Sequence, residues 1–473
     1  MNKTAKNSAI YLIGTIILAL LGFASAMILT RIVSNQVYAM YGLLNTFSTA
    51  VITFIAFGYD SSYTRFYYKH GYTQKQFMCK SLKIPCFIFL AFAVVVLEPS
   101  HTLLNYIFET NFSLIVIIVL LMYILFSFVH RFSQLTARME GYASNYILSN
   151  IIAKSGFLLL TIIAFALFRK VSFNMILVSF MVTNLVAILI NLKVFAKSPN
   201  EIIVSEQRVE NRELLNYGFP LMINNFLVLM IPMVEKLIVR DLAGWEVLSI
   251  FTAASIFQTV ILLITTTLNN IWQPMVFKHF SDKEKFQPMM HMFGVCSSVL
   301  ISLILAFCIF ARRWLVLLLD EAYFQVYIIA PVILWGACFN VISLIYSIGI
   351  NIEKKTVHLI VSPLFQALVS IGLCYWLIPK MGLVGVGISL LFSIVVGNIY
   401  KIFVGLRYYN TGRAEYRVFV LFVWCTIVSV MSMFFTSLLA DFIMGALIMG
   451  LMFMLNIKNL KPLLIELRNF IKK

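Results

Sequence analysis

Apolar runs of about 20 residues recur from one end of the chain to the other, separated by short polar breaks. A helix needs about 20 mainly apolar residues to cross a bilayer, since each residue advances it about 1.5 Å through roughly 30 Å of hydrocarbon. On that rule the pattern predicts spans near residues 9–32, 39–63, 82–104, 112–135, 143–168 and 173–195. It predicts eight more near 216–239, 247–271, 289–311, 324–350, 359–378, 383–404, 416–439 and 442–457, fourteen in all. A membrane β-barrel would alternate apolar and polar positions over segments of about ten residues, and the chain has no such alternation. The expected fold is an all-α polytopic membrane protein.

Composition agrees with the pattern. Of 473 residues, 61% are hydrophobic and 12% charged. Soluble domains carry about 25% charged residues, so a soluble enzyme is excluded. Disordered chains are poor in aromatic and branched apolar residues, so disorder is excluded as well. The formal net charge of +17 does not point to nucleic acid, because the basic residues cluster in loops on one side of the expected membrane. That side carries 27 of the 36 Lys and Arg when the N-terminus is placed inside. The positive-inside rule then puts both termini in the cytoplasm, and an even number of spans requires the same. The first span is too long for a cleaved signal segment and reads as a retained anchor. The seven cysteines lack C-x-x-C spacing and read as small apolar core residues.

Chemistry-bearing motifs are few. The chain has no G-x-x-x-x-G-K-[ST] for ATP, no H-E-x-x-H, and no clustered histidines. Its longest polar stretch, Ala196–Asn216, is too short for a catalytic domain. An enzyme such as a membrane polymerase or glycosyltransferase has little to stand on. Transport requires only spans, a cavity and polar groups inside it.

A shift of 209 residues aligns Asn7 with Asn216, Arg31 with Arg240, and Lys69-His70 with Lys278-His279, each at an equivalent span edge. Six spans lie within that shift. Both halves then share one orientation, as in parallel repeats with a site at their interface. The expected division is a six-helix lobe over 1–195, a cytoplasmic linker over 196–215, and a second six-helix lobe over 216–405. Residues 406–473 hold helices 13 and 14 and a basic tail expected to lie on the anionic inner surface.

Several short motifs are similar to those of one family. Leu29-Thr30-Arg31-Ile32-Val33 followed by Tyr41-Gly42, and Phe57-Gly58-Tyr59-Asp60 followed by Arg65, resemble the first loops of bacterial polysaccharide flippases. Tyr217-Gly218-Phe219-Pro220 resembles that family's Y-G-x-P, and Glu235-Lys236 its acidic–basic pair. Asn270-Ile271-Trp272-Gln273-Pro274 and Ile378-Pro379-Lys380-Met381-Gly382 through Gly385 complete the set. The resemblance, along the full chain, is to the polysaccharide-transport branch of the MOP exporters, the O-antigen or Wzx-type flippases. It implies two six-helix lobes around a central cavity and alternating access. It further implies a substrate of undecaprenyl-diphosphate bearing an oligosaccharide repeat unit, moved from the inner to the outer leaflet of the cytoplasmic membrane. Membrane lipids and other polysaccharide-assembly proteins are the implied partners. No cofactor is expected, although coupling to a proton or sodium gradient fits the family.

Flipping such a lipid requires a wet cavity with cationic and hydrogen-bonding walls, while the tail stays in lipid. Lys154, in the middle of span 5, is the leading candidate, because a central Lys costs about 2.5–3.5 kcal/mol on insertion scales. Its other reading is an intramembrane ion pair or inter-helix hydrogen bond. Arg31 and Arg240 are expected to face each other across the cavity mouth, or else to snorkel to the surface. Glu235 and Lys236 point about 100° apart; one is expected to face the cavity, with Glu235 as a proton or cation site, while the other pairs within its lobe. Asp60 and Arg65 flank the inner end of span 2, where Arg65 is expected either to meet incoming diphosphate or to serve as an ordinary positive-inside anchor. Asn224, Asn225, Asn269 and Asn270 are polar groups within apolar runs, suited to sugar hydroxyls or to inter-helix bonds. Two other transport classes stay open: a MATE-like cation-coupled small-molecule exporter, and a flippase for the peptidoglycan lipid precursor.

Overall fold

The structure is a computed structural model. It describes residues 3–68, 71–98, 102–197, 208–259, 283–353, 355, 357–408 and 416–471, with scattered positions between 260 and 282. The described secondary structure is helical: α1 (Lys3–Ile32), α2 (Asn35–Ala56), α3 (Tyr59–Phe66), α4 (Gln74–Val96) and α5 (Thr102–Phe108). There follow α6 (Leu114–Met139), α7 (Ala143–Phe168), α8 (Phe173–Lys197) and α9 (Asn211–Ala254). Then come α10 (Lys283–Val316), α11 (Val326–Tyr346), α12 (Ile348–Ile352), α13 (Val357–Tyr408), α14 (Tyr416–Phe434) and α15 (Leu438–Ile471).

Among the described residues, twelve helices are long and apolar enough to cross a membrane. Two of them are too long for a single crossing. The span Asn211–Thr259 has 49 residues and Val357–Tyr408 has 52, which as straight rods would measure about 74 and 78 Å. Each is broken at a glycine with non-helical backbone, Gly244 and Gly382. Both glycines have positive φ, which costs a residue without a β-carbon nothing. In α13 the break makes a hairpin. The Ser362 hydroxyl donates to the Gly397 carbonyl at 2.7 Å, and Nδ1 of His358 lies 2.7 Å from the Tyr400 hydroxyl. Near the turn, a β-carbon on Gly385 would sit 2.5 Å from the Leu377 carbonyl oxygen. In α13 the two arms, 357–381 and 383–408, are each long enough to cross a membrane. The protein is an all-α, multi-pass membrane protein.

Some edges differ from the sequence expectation. The span expected to run to residue 63 stops at Ala56, because Phe57 and Gly58 both take left-handed backbone and α3 starts afresh. The span expected from 82 starts at Gln74, where Thr73 and Gln76 form a reciprocal capping box.

By compactness the chain divides into residues Met1–Leu237 and Ile238–Lys473. The expected linker falls inside the first unit, and its residues 198–207 lie outside the described residues. In the first unit α8 packs on both α6 and α7, α7 packs on α1, and α6 on α2. In the second, α11 is the most buried of the twelve spans and packs against α10, α13 and α14. Large apolar side chains such as Leu20, Phe87, Ile115, Leu159 and Leu167 cover the exposed faces of the first unit, as contact with lipid tails requires.

Candidate functional site

Lys154 stands near the middle of α7 with its side chain exposed. Its ammonium donates to the backbone carbonyl of Leu18 on α1, 3.2 Å away. Gly22, one turn along α1, lies beside the ammonium: a β-carbon there would be in van der Waals contact with Nζ, at 3.7 Å. A carbonyl oxygen has two lone pairs, so a helical carbonyl can take this second donor.

Polar groups continue along the same face. Tyr146, Asn150 and Lys154 recur every four residues on α7, as His130, Gln134 and Arg138 do on α6, and such positions align along a helix. Nε2 of Gln134 donates to Oδ1 of Asn150 at 2.9 Å and lies 3.0 Å from Nε2 of the buried His130. Nδ2 of Asn150 donates to the Tyr146 carbonyl at 2.8 Å. The Tyr146 ring meets Tyr11 of α1 edge-on, with centroids 5.5 Å apart. Behind this row, Asn191 of α8 donates to the Ser133 hydroxyl at 3.0 Å. On the other side of Lys154 the lining turns aromatic. Phe157 stacks on Phe180 at 4.1 Å, and Tyr41 of α2 stacks on both rings. Lys154 therefore marks the border between a hydrogen-bonding surface and an aromatic stack.

A second constellation joins α2 to the first arm of α9. Gly58 and Gly218 meet backbone to backbone: a β-carbon on Gly58 would fall 2.1 Å from the Gly218 carbonyl oxygen. The Ser62 hydroxyl donates to the Leu214 carbonyl at 2.6 Å, and Phe57 packs on Phe219. Phe54 meets Phe226 further along. Beyond them the buried Lys236 donates to the Gly42 carbonyl at 2.8 Å. The partners fall while their counterparts rise in number, so the two helices run antiparallel. Four of the short motifs singled out in the sequence meet in these contacts, Tyr41-Gly42 with Glu235-Lys236 and Phe57-Gly58 with Tyr217-Gly218.

Other candidates are placed as follows. Glu235 is buried beside Lys236. Asp60 is buried and ion-pairs with Arg131 of α6, which also donates to Thr53 at 3.2 Å. Arg65 is exposed, with its guanidinium 6.0 Å from the centre of the Tyr217 ring. Asn224 donates to its neighbour Asn225 at 3.4 Å. Arg31 is exposed at the end of α1. Arg240, its counterpart in the repeat, is buried, donates to Asp241 at 2.8 Å and lies 5.8 Å from the Trp245 ring. Asn269 and Asn270 lie outside the described residues, as do Lys69-His70, Lys278-His279 and Pro274.

Sequence reasoning passed over three features. Arg131 reads as an ordinary basic anchor, yet it is the partner of Asp60. Gln134 and Asn150 are joined across two helices, and the every-fourth-residue spacing was the available signal. In the second unit, Asp441 is the one acid in an apolar run. It ion-pairs with the fully buried Arg312 and accepts from Nε of Arg313 at 3.2 Å. Arg312 also donates to the carbonyls of Ser432 at 2.5 Å and Phe435 at 2.9 Å, tying α10 to the turn between α14 and α15.

Residues 4–280 match the sequence model of the family described as "Polysaccharide biosynthesis protein". That is more than half of the chain. The chain belongs to this family. No curated protein matches it. Among solved structures it is similar to a lipid II flippase, MurJ, in an inward closed conformation, with a TM-score of 0.62 and 13% identity over 95% of this chain and 99% of that one. It is similar also to a multidrug resistance MATE family transporter of the MOP superfamily in its inward-facing conformation, with a TM-score of 0.62 and 12% identity over 84% and 96%. An outward-facing MATE family transporter gives 0.61 and 14% over 87% and 96%. At such identities these likenesses concern the fold. The chain is thus a multi-pass membrane protein of the polysaccharide biosynthesis family, with a fold similar to those of these transporters.

Proposed function

We propose that this member of the polysaccharide biosynthesis family flips undecaprenyl-diphosphate-linked oligosaccharide from the inner to the outer leaflet of the bacterial cytoplasmic membrane, by alternating access. One observation carries the reading. Lys154 is an exposed cation in the middle of an apolar span, and its ammonium rests on a backbone carbonyl. A carbonyl is a neutral acceptor, whereas a phosphate oxygen is charged, and hydrogen bonds to ionised partners are roughly twice as strong. A diphosphate can therefore displace Leu18 from the ammonium at a net gain. A cation held by a carboxylate would offer no such exchange. The excess of Lys and Arg in the loops of one side supports a cytoplasmic position for both termini.

The lipid II flippase among the neighbours moves a lipid-linked substrate, and its likeness here covers nearly the whole of both chains. The MATE family transporters match the fold with the same TM-score, so the reading of a lipid-linked cargo is supported by Lys154 rather than by the neighbours. The carried sugars then separate a capsule or O-antigen precursor from a peptidoglycan precursor.

The test is transbilayer movement in proteoliposomes. Lipid-diphosphate oligosaccharide is placed in one leaflet, and its appearance in the other is read with an impermeant sugar-oxidising reagent. Protein-dependent exposure is expected, with a loss of about tenfold or more in Lys154→Ala and partial recovery in Lys154→Arg. Wild-type rates from Lys154→Ala would remove Lys154 from the mechanism. Efflux of a cationic dye with no lipid movement would favour the MATE-like alternative.

A further inference from the structure

We infer that the Gln134–Asn150 amide pair, flanked by Tyr146 and Tyr11, is a saccharide subsite that reads the first sugar attached to the diphosphate held at Lys154. This deepens the flippase reading and rests on it.

Amide side chains and tyrosines on span faces need a reason. Polar groups within spans are costly unless they are paired or face water. Here they are only partly paired and partly exposed: Gln134, Asn150, Tyr146 and Tyr11 are all half-buried. The Gln134 amide reaches both Asn150 and His130, so it is fixed in place by α6 and α7 together. The Asn150 amide is fixed from the other side by the Tyr146 carbonyl. Two locked amides at 2.9 Å from each other present donors and acceptors side by side, which suits neighbouring hydroxyls on a sugar ring. Tyr146 and Tyr11, edge to face, add an aromatic surface of the sort that packs on the apolar face of a sugar and keeps a hydroxyl for bonding.

Placement completes the argument. Asn150 is one helical turn from Lys154 and Tyr146 a second turn, so the column covers about 12 Å along α7. A sugar bonded to the β-phosphate lies next to that phosphate. With the diphosphate at Lys154 it must lie either toward Asn150 or toward Phe157. The Phe157 side is filled by its stack with Phe180 and Tyr41. The Asn150 side offers the two amides.

The experiment uses the full chain in nanodiscs and two soluble probes: farnesyl diphosphate, and farnesyl diphosphate carrying one N-acetylhexosamine. Wild type is expected to bind the sugar-bearing probe about tenfold more tightly. Asn150→Ala and Gln134→Leu should each lose that preference while keeping the affinity for farnesyl diphosphate, which also reports that they are folded. Lys154→Ala should weaken both probes together. A preference that survives in both amide variants overturns the subsite. So does a parallel loss of both probes in those variants, since the amides would then shape the surroundings of Lys154 rather than touch sugar. A wild-type protein that binds neither probe overturns the lipid-diphosphate reading itself.

Discussion

Two cations, one in each compact unit, are held in opposite ways. In the first, Lys154 is exposed and rests on the carbonyl of Leu18. In the second, Arg312 is sealed from solvent and bonded to a carboxylate and three carbonyls. The first arrangement can be exchanged for a better anion. The second cannot, because withdrawing Asp441 would strand a buried charge. Position along a span is therefore a poor guide to role. The role proposed for Lys154 needs both an exposed ammonium and a neutral resting partner; Lys236, which also rests on a carbonyl, is buried and has only the second.

Substitutions can sharpen or break that contrast. The largest effect is expected at Asp441. Removing one member of a buried ion pair costs about 3–5 kcal/mol, so Asp441→Ala should lower the melting temperature in detergent sharply, whereas Lys154→Ala should barely move it. Equal shifts in the two variants would erase the distinction. Next comes Gly218→Ala. The added methyl would lie 2.3 Å from the Gly58 carbonyl oxygen, and such overpacking costs about 1–3 kcal/mol. A cysteine pair at Phe57 and Phe219 should then cross-link less efficiently; an unchanged yield would show that the helices part elsewhere. The smallest effect belongs to Arg313→Ala. Arg313 shares Asp441 but is partly exposed, so its loss should cost less than about 1 kcal/mol in the same melt. A loss as large as that of Asp441→Ala would mean that the cluster works as a single unit.

Much of the fold was legible in the sequence, because the length of an apolar run is set by bilayer thickness. The breaks at Gly244 and Gly382 were legible for the same reason, since no rod of about 50 residues fits the membrane. Lys154 stood out as a cation in an apolar run. The amides did not: Asn and Gln occur in many spans, and what matters at Gln134 and Asn150 is that α6 and α7 bring them within bonding distance. The pairing of Gly58 with Gly218 and of Gly42 with Lys236 was hidden for a different reason. Glycine carries no side chain to signal a contact, and the partners lie far apart along the chain. The partner of Asp60 was hidden too, because a basic residue near a span end is what the positive-inside rule already expects.

The Leu18 carbonyl has an evolutionary consequence. Every amino acid carries the same carbonyl, so no point mutation at position 18 can delete the group on which Lys154 rests. The leucine side chain is free to drift as long as α1 stays helical. Side chains around the ammonium can thus change one at a time without a new resting place for the charge having to arise first.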